Sequence, residues 1–261
     1  MMIQTEIAKH IVNKDLLQKR FRCASKTYDK HAVVQKTMAG VLVDVALNHI
    51  PKKQNSMMEL GCGTGLLTRE ITECFQAQDY TANDLVPEVE ENIRQIIGQK
   101  QNISFQFQQG DAERIDMGNK KDVIWSGATI QWIEDLDAFF ARMHASLNDQ
   151  GYLAISSFDI DNFLEVKAIT GIGIDYKPMH EVLMHAGKYF RVLESESWHQ
   201  KLWFKQPREV LRHMRFTGVN AVSATKWGKA DLENFNLDYE SFKTEEGYPL
   251  TYHPFVLVLQ K

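Results

Sequence analysis

The sequence predicts an α/β fold in which a mostly parallel sheet is flanked by helices. Two patterns point there. Between Ser56 and Ser157, short apolar runs of strand length alternate with segments of helical period, and that βαβ rhythm implies parallel strands joined by crossover helices. The first of these strands also runs directly into a glycine-rich turn that opens a helix. At 261 residues the chain is long enough for one such domain with an inserted subdomain, and for a core that needs no metal or disulfide staples.

From Asn13 to about Ile50, apolar residues recur at helical spacing (Leu16, Leu17, Phe21, Ala24, then Val33, Val34, Met38, Val41, Leu42, Val45), which predicts two helices. Pro51 and the polar residues after it end them. The spacing then predicts a strand at 56–60, a helix at 65–75, a strand at 79–83, a helix at 87–98, strands at 103–108 and 122–126, a helix at 136–147 and a strand at 151–157. Beyond Phe158 the pattern changes to short helical segments at 162–169, 178–186, 207–217 and 231–242, interrupted by a β-rich stretch at 189–204. The last run, 248–259, reads as one long strand returning to the edge of the sheet. The reading is a single domain over 1–261: N-terminal helices (1–50), a ligand-binding core (56–157), an inserted cap and late-sheet region (158–246) and a closing strand (248–259).

Charged residues make up 25% of the chain and the net charge is −4, which gives no global basic field of the kind that holds nucleic acid. Cys23, Cys62 and Cys74 form no CxxC pair, and none lies at zinc-ligand spacing from a His, so neither a disulfide framework nor a metal site is expected. The first fifteen residues lack the apolar core of a leader, and no apolar run approaches the roughly 20 residues that span a membrane. A reducing cytoplasm is the expected setting.

Glu59-Leu60-Gly61-Cys62-Gly63-Thr64-Gly65 ends the first strand. Gly61, Gly63 and Gly65 let the backbone approach a ligand, because glycine has no Cβ to collide and tolerates positive φ. In an open parallel sheet this turn lies at the carboxyl ends of the strands, where ligands bind. Asp84, with Leu85 beside it, closes the next strand nineteen positions past Gly65 and can accept hydrogen bonds from both ribose hydroxyls of a nucleoside. A dinucleotide fingerprint would read GxGxxG, but here Leu66 stands where the third glycine belongs. Glu59 would repel a pyrophosphate, whereas it suits the cationic amino-acid end of S-adenosylmethionine. After the third strand, Gly110-Asp111-Ala112 can meet an adenine, with the Asp111 carboxylate on the amino group and the Ala112 N–H on a ring nitrogen. Taken alone, Gly-Asp is also ordinary turn chemistry. The fourth strand ends at Ser126 and leads into a loop at the same sheet edge, in which Gln131 is a candidate polar group and Trp132 reads equally as core.

These residues resemble the class I S-adenosylmethionine-dependent methyltransferases, whose fold is Rossmann-like with a seven-stranded, mostly parallel sheet. Over nearly its whole length the chain is similar to the malonyl-acyl-carrier-protein O-methyltransferases of biotin synthesis. Three segments carry the narrower resemblance: Arg20 to Ala32, with its Phe, Ala, Tyr and His-Ala spacing; Trp125-Ser126 to Gln131-Trp132; and Gly247-Tyr248-Pro249-Leu250-Thr251-Tyr252-His253. Gly127 departs from the Asn that many relatives carry.

The resemblance implies transfer of a methyl group from S-adenosylmethionine, with S-adenosylhomocysteine as product and no metal, to the free carboxylate of a malonyl thioester on acyl-carrier protein. That carboxylate is already ionised at neutral pH, so no general base is required. Tyr28 is the first candidate to orient it, followed by Gln131 and His253. Acyl-carrier proteins are acidic, and Arg208, Arg212 and Arg215 fall at i, i+4 and i+7 of one predicted helix, with Lys201 and Lys205 nearby. They form either a docking face or a plain solvated one. Two other readings share the glycine turn: a methyltransferase acting on a free small molecule, and a non-catalytic nucleotide-binding module.

Overall fold

The computed structural model describes residues 13–100, 103–171, 174, 176–217 and 227–261, without the side chains of Ser25 and Lys26. Residues 1–12, most of the stretch inspected for a leader, lie outside the described residues. Among those described, no helix is long and apolar enough to cross a membrane.

Among the described residues two helices precede the first strand, α1 (Lys14–His31) and α2 (Val33–Ala46). The Asn13 side chain caps α1 by accepting from the Leu16 amide at 2.9 Å. The core follows as β1 (Lys53–Leu60), α3 (Leu66–Cys74), β2 (Gln76–Asp84), α4 (Glu90–Gly98), β3 (Ser104–Gln109), β4 (Lys121–Gly127), α5 (Leu136–Ser146) and β5 (Leu147–Phe158). The second half contains α6 (Leu164–Thr170), α7 (Met179–Ala186), β6 (Arg191–Ser197), β7 (Gln200–Phe204), α8 (Pro207–Phe216), α9 (Lys229–Tyr239), β8 (Tyr248–Tyr252) and β9 (Pro254–Gln260).

The main sheet has seven strands in the order β3-β2-β1-β4-β5-β9-β6. β1 to β5 run parallel, and β9 lies antiparallel between β5 and β6. Helices cover both faces, so its central strands are buried on both sides and read as near-continuous apolar runs. Met57, Tyr80, Val123 and Val256 pack on the face that carries α2, α3 and α4. Met58, Ile124, Leu153 and Leu257 pack on the face that carries α5 and α7. A third apolar cluster, with Trp132, Phe163, Tyr239 and Tyr252, joins α1 to the cap.

The closing segment differs from the expected single edge strand. β8 pairs with β7 in a separate two-stranded sheet, and β9 lies inside the main sheet, whose edge is β6. The break falls at His253-Pro254. Proline has no N–H for a ladder, and it holds the preceding residue out of helical geometry. At His253 the chain leaves both ladders: its amide donates to Asn162 Oδ1 at 3.2 Å, and its carbonyl accepts from the Asp159 amide at 2.7 Å.

Candidate active site

An open cleft of about 1110 Å³ lies at the carboxyl ends of β1, β2, β3 and β4, the place where open parallel sheets bind ligands. The glycine turn forms its floor. Gly61 and Gly63 have φ of +68° and +51°. A Cβ on Gly61 would come within 2.2 Å of Thr129 Oγ1, whereas one on Gly63 would meet nothing within 4 Å and would take up room in the cleft. Gly65 has left-handed geometry where α3 begins, beside Ile93 and Ile96 rather than in the cleft lining.

Asp84 is held rigidly. Its Oδ2 accepts from the Gly63 amide and its Oδ1 from the Val86 amide, both at 2.8 Å. These bonds fix the carboxylate across from the turn and leave lone pairs for further donors. Burial raises its pKa, an effect opposed by the backbone bonds. Glu59 is buried beneath the turn, where Thr68 Oγ1 and the Tyr80 hydroxyl both donate to its Oε2 at 2.7 and 2.6 Å. Burial outweighs these bonds and pushes the carboxyl up to about 7. Leu85, Asp111 and Ala112 also line the cleft.

α1 forms the roof. Lys14, Leu17, Phe21 and Tyr28 share one face of this helix, and all four line the cleft. The Lys14 ammonium donates to Glu113 Oε2 and to the Trp132 carbonyl, both at 2.8 Å, and lies 3.4 Å from Asp111 Oδ1. Farther along, Asp29 accepts from Thr64 Oγ1, which ties the other end of the roof to the glycine turn. Tyr28 is half-buried, and burial together with Asp29 and Asp84 raises its phenol, so it stays a neutral hydrogen-bond donor.

Other candidates sit elsewhere. Ser126 is fully buried at the end of β4 and does not reach the lining. Gln131 braces its own loop, its Nε2 donating to the Ala128 carbonyl at 2.7 Å and its Oε1 accepting from Ser157 Oγ at 3.1 Å. His253 lies outside the cleft beside Asp161 and His199. Arg208, Arg212 and Arg215 are exposed on α8, and no ion pair among the described residues holds them. α8 leans on α1, where the His31 and Phe216 rings stack at 4.5 Å.

Sequence reasoning missed Lys14, Asn83 and Gln35. The spacing 14, 17, 21, 28 is a visible helical stripe, but nothing in the sequence says that the stripe faces a cleft rather than the core. Asn83 and Gln35 line the cleft, and each has a buried side-chain oxygen with no hydrogen-bond partner.

A family model described as "Methyltransferase domain" matches residues 58–155. The solved N-methyltransferase NodS of Bradyrhizobium japonicum, in complex with S-adenosyl-L-homocysteine, shares the fold at a TM-score of 0.52 and 12% identity, over 85% of each chain. The core thus carries a methyltransferase domain, and the seven-stranded sheet has the fold of solved methyltransferases. Similarity to curated relatives narrows the class. The chain is 37% identical to the malonyl-acyl-carrier-protein O-methyltransferase of Calditerrivibrio nitroreducens over 92% of this chain and 94% of that protein. It is 36% identical to the enzyme of the same name from Chlorobium phaeovibrioides over 96% and 98%. The chain belongs to the malonyl-acyl-carrier-protein O-methyltransferase family.

Proposed function

We propose that this enzyme methylates the free carboxylate of malonyl-acyl-carrier protein, giving the methyl ester used at the pimeloyl stage of biotin synthesis. The observation that carries this reading is the reach of the similarity. It runs through the cap and closing strands as well as the 58–155 core that methyltransferases of many substrates share. A free small-molecule acceptor would give no reason for likeness in those outer parts.

S-adenosylmethionine, when bound, supplies a methyl group activated on a sulfonium. The site fits it: Gly63 leaves room that a Cβ would fill, and Asn83 offers an orphaned buried oxygen. Asp84 holds the ribose hydroxyls, Glu59 faces the amino-acid end, and Asp111 with the Ala112 N–H reads the adenine. The α1 roof covers one side of the cleft. Tyr28, kept neutral, donates to one oxygen of the substrate carboxylate and so orients the other. No proton has to be removed, so orientation carries the catalysis, and well-oriented systems reach effective molarities of roughly 10⁵–10⁸ M. The cations of α8, beside the roof, receive the acidic carrier protein.

The test is transfer of labelled methyl to malonyl-acyl-carrier protein, run beside malonyl-coenzyme A and free malonate. Transfer to the thioesters is expected, with the carrier protein preferred. Donor binding without transfer to any malonyl thioester would refute the assignment.

A further inference from the structure

The fold assembles a cluster of ligating side chains that no sequence spacing announces. Asp161 follows β5, His199 lies between β6 and β7, and His253 lies between β8 and β9. The last two occupy the two points where the chain crosses between the main sheet and the small one. His199 Nε2 lies 3.1 Å from Asp161 Oδ2, and His253 Nδ1 lies 3.6 Å from the same oxygen. The three residues each offer a ligating atom within 4.8 Å of the others. The imidazoles stack with centroids 3.9 Å apart and planes 20° from parallel.

A hydrogen-bonded triad does not account for this arrangement. His199 Nε2 is within hydrogen-bond distance of Asp161, but at 3.6 Å the contact from His253 to Asp161 is too long for one, and His253 Nδ1 is buried with no partner. A cation accounts for the ligand separations, with the exposed His199 ring turning out of the stack so that both nitrogens aim at one ion. In a tetrahedral site with bonds of about 2.0–2.1 Å, ligand atoms lie about 3.3 Å apart, and the two measured separations bracket that value. Two imidazole nitrogens and a carboxylate oxygen match zinc's donor preference, with the fourth position left to water. The side chains of His199 and Asp161 are 50% and 42% exposed, so an ion reaches them from solvent.

We propose that Asp161, His199 and His253 bind one zinc ion, which fastens the small sheet to the main one at both crossings. None of the three lines the cleft, so the ion acts on the cap's attachment and not on the methyl group.

Calorimetric titration of the chelator-treated full chain with zinc chloride tests this directly. One ion per chain is expected. His199→Ala, at an exposed position, and Asp161→Asn, at a half-buried one, should each weaken binding more than tenfold, given that losing even a residue behind a ligand costs about 10–100-fold. Zinc at a hundred times the Kd of the unaltered chain should raise its Tm by roughly 5–10 °C and raise that of either variant by no more than about half as much. Circular dichroism matching the unaltered chain shows that the variants are folded. No saturable one-to-one binding, or unchanged affinity in either folded variant, would overturn the proposal.

Discussion

The donor side of the cleft and the cap side are built by different means. On the donor side, Gly61, Gly63, Asp84 and Asp111 all lie within a few residues of a strand end, and backbone amides fix the key carboxylate. On the cap side, the structure depends on bonds between residues far apart in the chain: His253 to Asn162, Thr251 to Glu165, and His213 Nε2 to the Tyr252 hydroxyl at 2.7 Å. A small ligand of fixed shape can be held by one local backbone arrangement. A protein partner needs a surface that only the assembled tertiary structure presents.

The sharpest way to break this contrast is Asp84→Ala. Removing the carboxylate deletes the proposed bonds to the ribose hydroxyls and leaves the Gly63 and Val86 amides without their acceptor. Hydrogen bonds to a charged group are worth about 1.5–3 kcal/mol each, so donor affinity should fall about 100-fold or more. Calorimetry with S-adenosylhomocysteine measures it, and an affinity within threefold of the unaltered enzyme would remove Asp84 from the ribose site.

The same contrast explains what the sequence disclosed. The parallel sheet and the glycine turn were legible because strand period, turn chemistry and the acidic residue at the next strand end are local signals. Arg208, Arg212 and Arg215 were legible as one helix face, and α8 presents them to solvent. The split of the closing segment was not, although Pro254 marked the place. An apolar run shows that a strand is buried, not which ladder it joins. Gln131 and His253 have the right chemistry in the right neighbourhood, yet their side chains face partners that only the folded chain supplies, Ala128 with Ser157 in one case and the Asp161 cluster in the other.

Charge reversal at Arg212 tests the cap side alone. Arg212→Glu should lower kcat/KM for malonyl-acyl-carrier protein about tenfold at low salt, with the difference shrinking as salt rises, because exposed charges are screened. Malonyl-coenzyme A and donor affinity should stay within twofold. Equal loss on both substrates would place Arg212 outside a docking face.

The smallest effect lies beneath the glycine turn and follows from the sign of one shift. Burial raises the Glu59 carboxyl from its usual range to about 7. The stability this gives the folded chain is fully present below the ordinary carboxylate range and is lost as pH rises through 7. A cationic amine gains only from the ionised form, so donor binding should follow deprotonation of Glu59. Affinity should therefore rise about eightfold from pH 6 to pH 7.5, with proton release when binding is measured at pH 6 in buffers of different ionisation enthalpy. Glu59→Gln keeps the shape and removes the titration, so its affinity should be weaker at pH 7.5 and flat across the same range. A pH dependence that persists in Glu59→Gln would assign the titration to another group and leave Glu59 a structural partner of Tyr80 and Thr68.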